Sequence, residues 1–425
     1  MDVIKELVKD VPLPRMVKIH QTFPRPLVSD LPRTIAEELA KPEIAAKIKP
    51  GMKIALAVGS RGVAQIPTIA ASVVRELKAR GAQPFIVPAM GSHGGATAEG
   101  QRGVLADLGV TEESAGCPII SSMEVVEIGR LESGLPVYID KNAYEADGII
   151  VICRVKPHTA FRAANESGLV KMITIGLGKQ KGAESCHSYS FRYMAANIVA
   201  MARISLTKAN ILFGVASVEN AYDEPAKLVA VPPERLIETD RELLQEAKAN
   251  MPRLPVSQID LLIIDEIGKD ISGDGMDPNI TGRYPTPYAS GGPEVNKIVV
   301  LDLTERTHGN ANGMGHADFS TRKMAAKIDY PKTYANALTS REAGVVKLPA
   351  ILDDDRDAIK AGVKTCYADE ATARVVRIKN TLHMGELWVS ESLAEEVAKL
   401  ESVTIEGQPE EMRFDAEGNL LSETH

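Results

Sequence analysis

Residues 53–89 constrain the fold more than any other stretch of this chain. Lys53-Ile-Ala-Leu-Ala-Val58 is an apolar run of strand length, and Gly59-Ser-Arg-Gly62 reads as the turn that ends it. From Ile66 to Lys78 the apolar residues Ile66, Ile69, Ala70, Val73, Val74 and Leu77 fall at helical spacing. Gly81 stops that helix, and Pro84-Phe-Ile-Val-Pro-Ala89 is the next strand. Strand, helix, strand in this order requires a parallel pair joined by a crossover, so the chain opens as an α/β fold.

The pattern continues. Thr97 caps a helix running to Leu108 and closed by Gly109. Glu124–Ile128 and Leu135–Ile139 alternate as a hairpin-like pair. Gly148-Ile-Ile-Val-Ile-Cys153 reads as a buried strand, Tyr193–Ile204 as a helix, Asn210–Val218 as a strand and Glu234–Ala249 as a charged helix. Met251-Pro-Arg-Leu-Pro255 is a linker. Beyond it Ile259–Ile264, Lys297–Leu303, Val345–Leu352 and Ala373–Ile378 read as strands, with helices over Ala317–Ile328 and around Ser340–Gly344. At 425 residues the chain exceeds one ordinary core. The expectation is two α/β domains, 1–255 and 256–425, with mostly parallel sheets and an interdomain cleft. The first would be the catalytic and cofactor domain.

Composition narrows the partners. A formal charge of -8 with no basic run argues against nucleic acid. No apolar stretch approaches the roughly 20 residues of a membrane span. Met1-Asp-Val-Ile-Lys-Glu lacks the basic and apolar regions of a signal peptide, and the four cysteines, Cys117, Cys153, Cys186 and Cys366, form no CxxC pair. A cytoplasmic protein acting on a small molecule is expected; the oligomeric state is not legible.

The candidate chemistry sits just past the strands, where open α/β sheets bind ligands. Met90-Gly-Ser-His93-Gly-Gly95 follows the second strand. Its glycines allow close backbone approach to a ligand, and a histidine there titrates near neutrality. A loop histidine bonded to a carbonyl is an equal reading. Arg154-Val-Lys-Pro-His158 leaves the Gly148–Cys153 strand, with Pro157 fixing the exit; alone it is a turn with an exposed histidine. Lys171 lies within Gly168-Leu-Val-Lys-Met-Ile-Thr-Ile, so it either snorkels to the surface or is a functional amine. His187 follows Cys186, and adjacent side chains rarely reach one centre, so at most one ligates a metal; imidazole is the commoner ligand. Arg61 offers a planar fork to a carboxylate or phosphate. The loop Gly273–Asn279 lacks calcium-loop spacing. Gly309–Gly315, between His308 and His316, reads as a second cofactor loop or as a flexible connection.

Taken together, the ordered series Arg61, His93, His158, Lys171 and His187 resembles the nickel-dependent lactate racemase family. The interval from lysine to histidine, 187 − 171 = 16, agrees with that pattern. The resemblance is strongest over 53–187. It implies a nickel pincer nucleotide, a pyridinium mononucleotide with two sulfur arms, held on Lys171 by a thioamide bond. His187 would supply the remaining nickel ligand. His93 and His158 would flank the substrate as two general bases, as two enantiomers require. One would take the hydroxyl proton while hydride moves from the α-carbon to the pyridinium ring. Arg61 would bind the substrate carboxylate or the cofactor phosphate.

Three departures bear on the substrate. Val58 stands where the family has an acidic residue, the segment between His158 and Lys171 is longer, and the carboxylate-binding lysine of the second domain has no clear match. They point from lactate to a larger or more polar α-hydroxyacid, such as a sugar acid. Two other readings stay open: a metal-dependent dehydrogenase or hydratase without the pincer cofactor, and a non-catalytic protein that binds organic acids or nucleotides.

Overall fold

The computed structural model describes residues 2–60 and 62–421. The chain is an α/β protein forming two compact units, Pro24–Met251, and Met1–Phe23 together with Pro252–His425.

In the 24–251 unit, five strands form one sheet in the order Gln83–Pro88, Lys53–Val58, Gly148–Arg154, Ile211–Glu219, Pro225–Val231. The first four run parallel; the last is antiparallel to its neighbour. Alternate residues feed two separate cores. Ile54, Leu56, Val58, Ile150 and Ile152 join Ile66, Ile69, Val73 and Leu77 of helix Ile66–Ala79. Ala55, Ala57, Ile149, Val151 and Cys153 face Leu169, Ile173, Met194, Ile198 and Leu243. A parallel sheet covered on both faces must be apolar throughout, which is why 148–153 shows no alternation. The hairpin Val125–Arg130 with Pro136–Asp140 pairs antiparallel and adds Val137 and Ile139 to the second core.

Strand order decides where a ligand can reach this sheet. Lys53–Val58 has the strand that follows it on one side and Gly148–Arg154 on the other. The chain reverses direction across the sheet there, so loops at the carboxyl ends diverge and leave a crevice. The loops beginning at Gly59, Ala89 and Val155 are those three.

In the other unit eight strands form one sheet, in the order Ala350–Leu352, Phe319–Thr321, Glu294–Leu303, Gln258–Ile267, Val375–Ile378, Glu386–Ser390, Met16–Gln21, Val403–Glu410. The first five are parallel and the rest antiparallel. The N-terminal strand Met16–Gln21 thus packs with elements more than 360 residues further along.

Three local expectations are corrected here. Ala317–Ile328 is not one helix. Phe319–Thr321 pairs with the 294–303 strand, and the Ser320 and Thr321 hydroxyls donate to Val300 and Leu301 carbonyls, both at 2.7 Å. A helix, Arg322–Ala326, begins only after Thr321 caps it. The helix expected around Ser340–Gly344 is Tyr330–Ser340, stopped by Arg341 in a left-handed conformation at φ 62°. The strand expected over Val345–Leu352 shortens to Ala350–Leu352, preceded by a 3₁₀ turn, Ala343–Val346.

Candidate functional site

The 24–251 unit carries His93, His158, Lys171 and His187. Arg61 lies outside the described residues.

His93 ends a tight loop off strand Gln83–Pro88. Gly94 has φ 65°, and a Cβ there would stand 2.6 Å from the Gln101 backbone nitrogen, so only glycine fits. The His93 ring meets the Ser60 hydroxyl through Nδ1, linking the loop to the end of the neighbouring strand. Beneath the loop, the fully buried Gln101 donates from Nε2 to the carbonyls of Gly91 at 2.8 Å and His93 at 3.2 Å.

His158 is held by its own loop. Lys156 and Ser167 pair through both backbone bonds, at 2.8 and 3.2 Å, and enclose residues 157–166. Inside sits the Glu166 carboxylate, whose side chain is fully buried. It accepts from the His158 backbone nitrogen at 2.7 Å and from Lys248 Nζ at 2.8 Å, with Arg162 Nη1 at 3.4 Å. Two cations and the backbone N–H compensate the buried charge. The ring stacks near Phe161, centroids 4.4 Å apart, and accepts at Nδ1 from the Ala160 N–H at 3.0 Å.

Lys171 closes a one-turn helix, Leu169–Lys171, that continues as a π turn, Met172–Gly176. Asp240 caps its start. Leu169 N–H donates to Oδ1 at 2.6 Å, and Asn165 Nδ2 donates to Oδ2 at 3.1 Å. Burial pushes the Asp240 carboxyl up to about 6 against those hydrogen bonds. The glycines flanking Lys171 do not loosen its backbone. Gly168 is extended at φ 176°; a Cβ there would stand 2.1 Å from Asp240 Oδ1. At Gly176 a Cβ would stand 2.8 Å from the Ala89 carbonyl. Both positions need the missing side chain for space.

Lys171 does not snorkel away from the site. Its Nζ lies 2.8 Å from His158 Nε2. Which of the two nitrogens donates in that contact follows the imidazole tautomer and the charge on the amine.

His187 ends helix Lys179–His187. Its Nδ1 donates to the Ala183 carbonyl at 2.7 Å, so Nε2 carries the lone pair. Its ring meets Phe191 edge-on at 5.4 Å, and Phe191 lies 6.0 Å from the His158 ring. Cys186 faces the core instead. It is fully buried against Met194, and burial pushes its thiol up to about 12.

The four residues hang on one segment. His158 touches Lys171; His187 and His158 share Phe191; the His93 loop joins the π turn through Gly91 N–H to the Gly176 carbonyl at 3.2 Å. Sequence reasoning missed Glu166, Asp240, Gln101 and Lys179, all buried, because a charged or polar residue read alone looks like a surface one. Glu166 fell in a loop that was read only for its length.

In the other unit, the Gly309–Gly315 loop is a packing device. A Cβ on Gly313 would stand 1.6 Å from the Asp274 carbonyl, and Asn312 Nδ2 donates to the Gly273 carbonyl at 3.0 Å. Its glycines let two loops meet backbone to backbone. Among the described residues, no helix is long and apolar enough to cross a membrane.

Residues 13–198 match the family model described as the lactate racemase N-terminal domain. Among solved structures, the lactate racemase apoprotein from Thermoanaerobacterium thermosaccharolyticum is similar, with a TM-score of 0.51 at 14% identity over 87% of this chain and 99% of that one. At that identity the likeness is one of fold. A glycotransferase of kitacinnamycin matches with a TM-score of 0.19 at 8% identity, over 72% of this chain and 87% of that one, too weak to carry an argument. No curated protein matches the chain. The domain match spans His93, His158, Lys171 and His187, and the fold likeness spans most of the sequence.

Proposed function

We propose that this protein is a racemase or epimerase of an α-hydroxyacid other than lactate, using a nickel pincer nucleotide carried on Lys171. The match of residues 13–198 to the lactate racemase N-terminal domain supports racemase-type chemistry. The observation that carries the finer reading is the Lys171 amine against His158 Nε2, 2.8 Å away. An amine within reach of an imidazole can pass its proton to that base and act as a nucleophile, as covalent attachment requires.

The remaining residues fit the group. His187 holds the tautomer a metal ligand needs, fixed by its second nitrogen's bond to a carbonyl. Among the described residues, no three His, Cys, Asp or Glu side chains could hold a metal together. A single imidazole suits a metal whose other ligands come with the bound group. When bound, that group supplies the hydride acceptor and the metal.

The chain's own residues handle the proton. His93, held at Nδ1 by the Ser60 hydroxyl, is assigned the substrate hydroxyl proton in the tautomer whose Nδ1–H faces Ser60. His158 is the second base, acting through Nε2. Arg61 is assigned the substrate carboxylate or the cofactor phosphate. The shift from lactate to a larger acid rests on Val58 and on the long 157–166 loop, which Glu166 holds shut.

The test is intact mass and metal analysis of protein made with the cofactor pathway present, followed by α-hydrogen exchange on a panel of hydroxyacids. Expected are a mass increment lost in Lys171→Arg and exchange with at least one sugar acid. A wild-type exchange rate in Lys171→Arg would refute the reading. A bound metal without mass increment would favour the plain metalloenzyme.

A further inference from the structure

We infer that Lys179 is a positioning residue for His93, acting through Gln101. The inference rests on His93 being one of the two bases. Lys179, Asp140 and Gln101 are each fully buried. Lys179 has φ 54°, a left-handed conformation sparsely populated by residues other than glycine. Such strain persists only where the surroundings hold it, and glycine would relieve it. The side chain therefore has a use that the backbone alone would not select.

That use is legible in its partners. Lys179 Nζ donates to the Pro88 carbonyl at the end of the strand that leads to His93. It donates to Gln101 Oε1 at 3.1 Å and pairs with Asp140 Oδ2 at 3.1 Å. An amide has one acceptor end and one donor end. With the ammonium holding Oε1, Nε2 must point the other way, into the carbonyls of Gly91 and His93. Lys179 thus sets the orientation of the Gln101 amide, and that amide sets the His93 loop. Lys179 is also the first residue of the helix that ends in His187, so one side chain ties the two loops of the site to a strand end. Asp140 balances the charge and caps the turn at Ala143, 2.9 Å away.

Replacing Lys179 alone would strand a buried carboxylate, so the variants must separate charge balance from positioning. Lys179→Met with Asp140→Asn removes both charges and keeps an acceptor for Ala143. Gln101→Glu keeps Lys179 paired but removes both donors to the loop. Each variant is compared with the full-length wild type by hydrogen–deuterium exchange and by histidine NMR titration. The cofactor-loaded forms are then assayed.

We expect backbone exchange over residues 90–97 to rise about tenfold or more, with helix 191–208 unchanged. The His93 titration should move while that of His20 stays. In turnover, kcat should fall about tenfold or more with little change in KM, because a displaced base costs rate rather than binding. Loop exchange within about twofold of wild type in both variants overturns the proposal. Faster loop exchange with turnover unchanged supports the clamp and overturns His93 as a base. If the double variant fails to fold, Gln101→Glu alone decides.

Discussion

Gly168→Ala is a small change with a calculable consequence. The backbone there is extended, at φ 176° and ψ -151°, so alanine meets no conformational strain. All three nearest atoms to an added Cβ belong to Asp240, with Oδ1 at 2.1 Å. The carboxylate must retreat by more than 1 Å to reach ordinary contact at roughly 3.4 Å or beyond. That retreat breaks the 2.6 Å bond from Leu169 N–H and strains the 3.1 Å bond from Asn165. Overpacking costs about 1–3 kcal/mol. A buried group losing its partner costs about 1–3 kcal/mol more. The expected loss is therefore about 2–6 kcal/mol, centred on the turn that carries Lys171.

The same substitution in an Asp240→Ala background should behave differently. With the carboxylate gone, the added methyl enters vacated space. Lower entropy of the unfolded chain then favours alanine by about 0.4–1 kcal/mol. The two changes should couple by about 2 kcal/mol or more. Urea unfolding followed by far-UV circular dichroism measures the four corners of the cycle. Hydrogen exchange over residues 165–176 locates the effect. Equal destabilisation by Gly168→Ala in both backgrounds would refute the reasoning, because the cost would then owe nothing to Asp240.

Three further outcomes follow from the same site. The Asp240 carboxyl is raised from 3.8 to about 6 by burial, so its contribution to stability is present below about pH 4 and is lost as pH rises through 6. At roughly 1.4 kcal/mol per unit this is about 3 kcal/mol, and Asp240→Asn should flatten that part of the stability–pH curve; an unchanged slope between pH 4 and 6 rejects it. Glu166→Gln leaves Lys248 and Arg162 without their buried counter-charge and should cost about 2–4 kcal/mol in denaturant unfolding, with faster exchange over 157–167; a neutral variant would deny that Glu166 holds the loop. His187→Ala should leave the protein folded by circular dichroism yet strip nickel from cofactor-loaded enzyme, and full nickel occupancy would remove His187 as the ligand.

What the chain reveals unaided is local and periodic. The runs at 53–58, 83–88 and 148–154 are apolar because both faces of their sheet are covered, and no neighbour is needed to see that. The Thr97 cap, the hairpin at 125–140 and the histidines just past strand ends are legible for the same reason. Each signal lies within a few residues of its effect.

Tertiary structure decided the rest. Met16–Gln21 is a strand only because edges from residues 386–410 lie on both sides of it. Phe319–Thr321 is a strand rather than helix because residues 299–301 offer it partners. Glu166, Lys179, Gln101 and Asp240 look like solvated surface groups in the sequence. Folding buries each one beside partners as far as 91 residues away, and those partners determine whether its charge or dipole is tolerated. Electrostatics in a dry interior depends on three-dimensional neighbours, and no local pattern encodes them. The residues proposed for the chemistry were therefore visible in the sequence, while the residues that hold them in place were not.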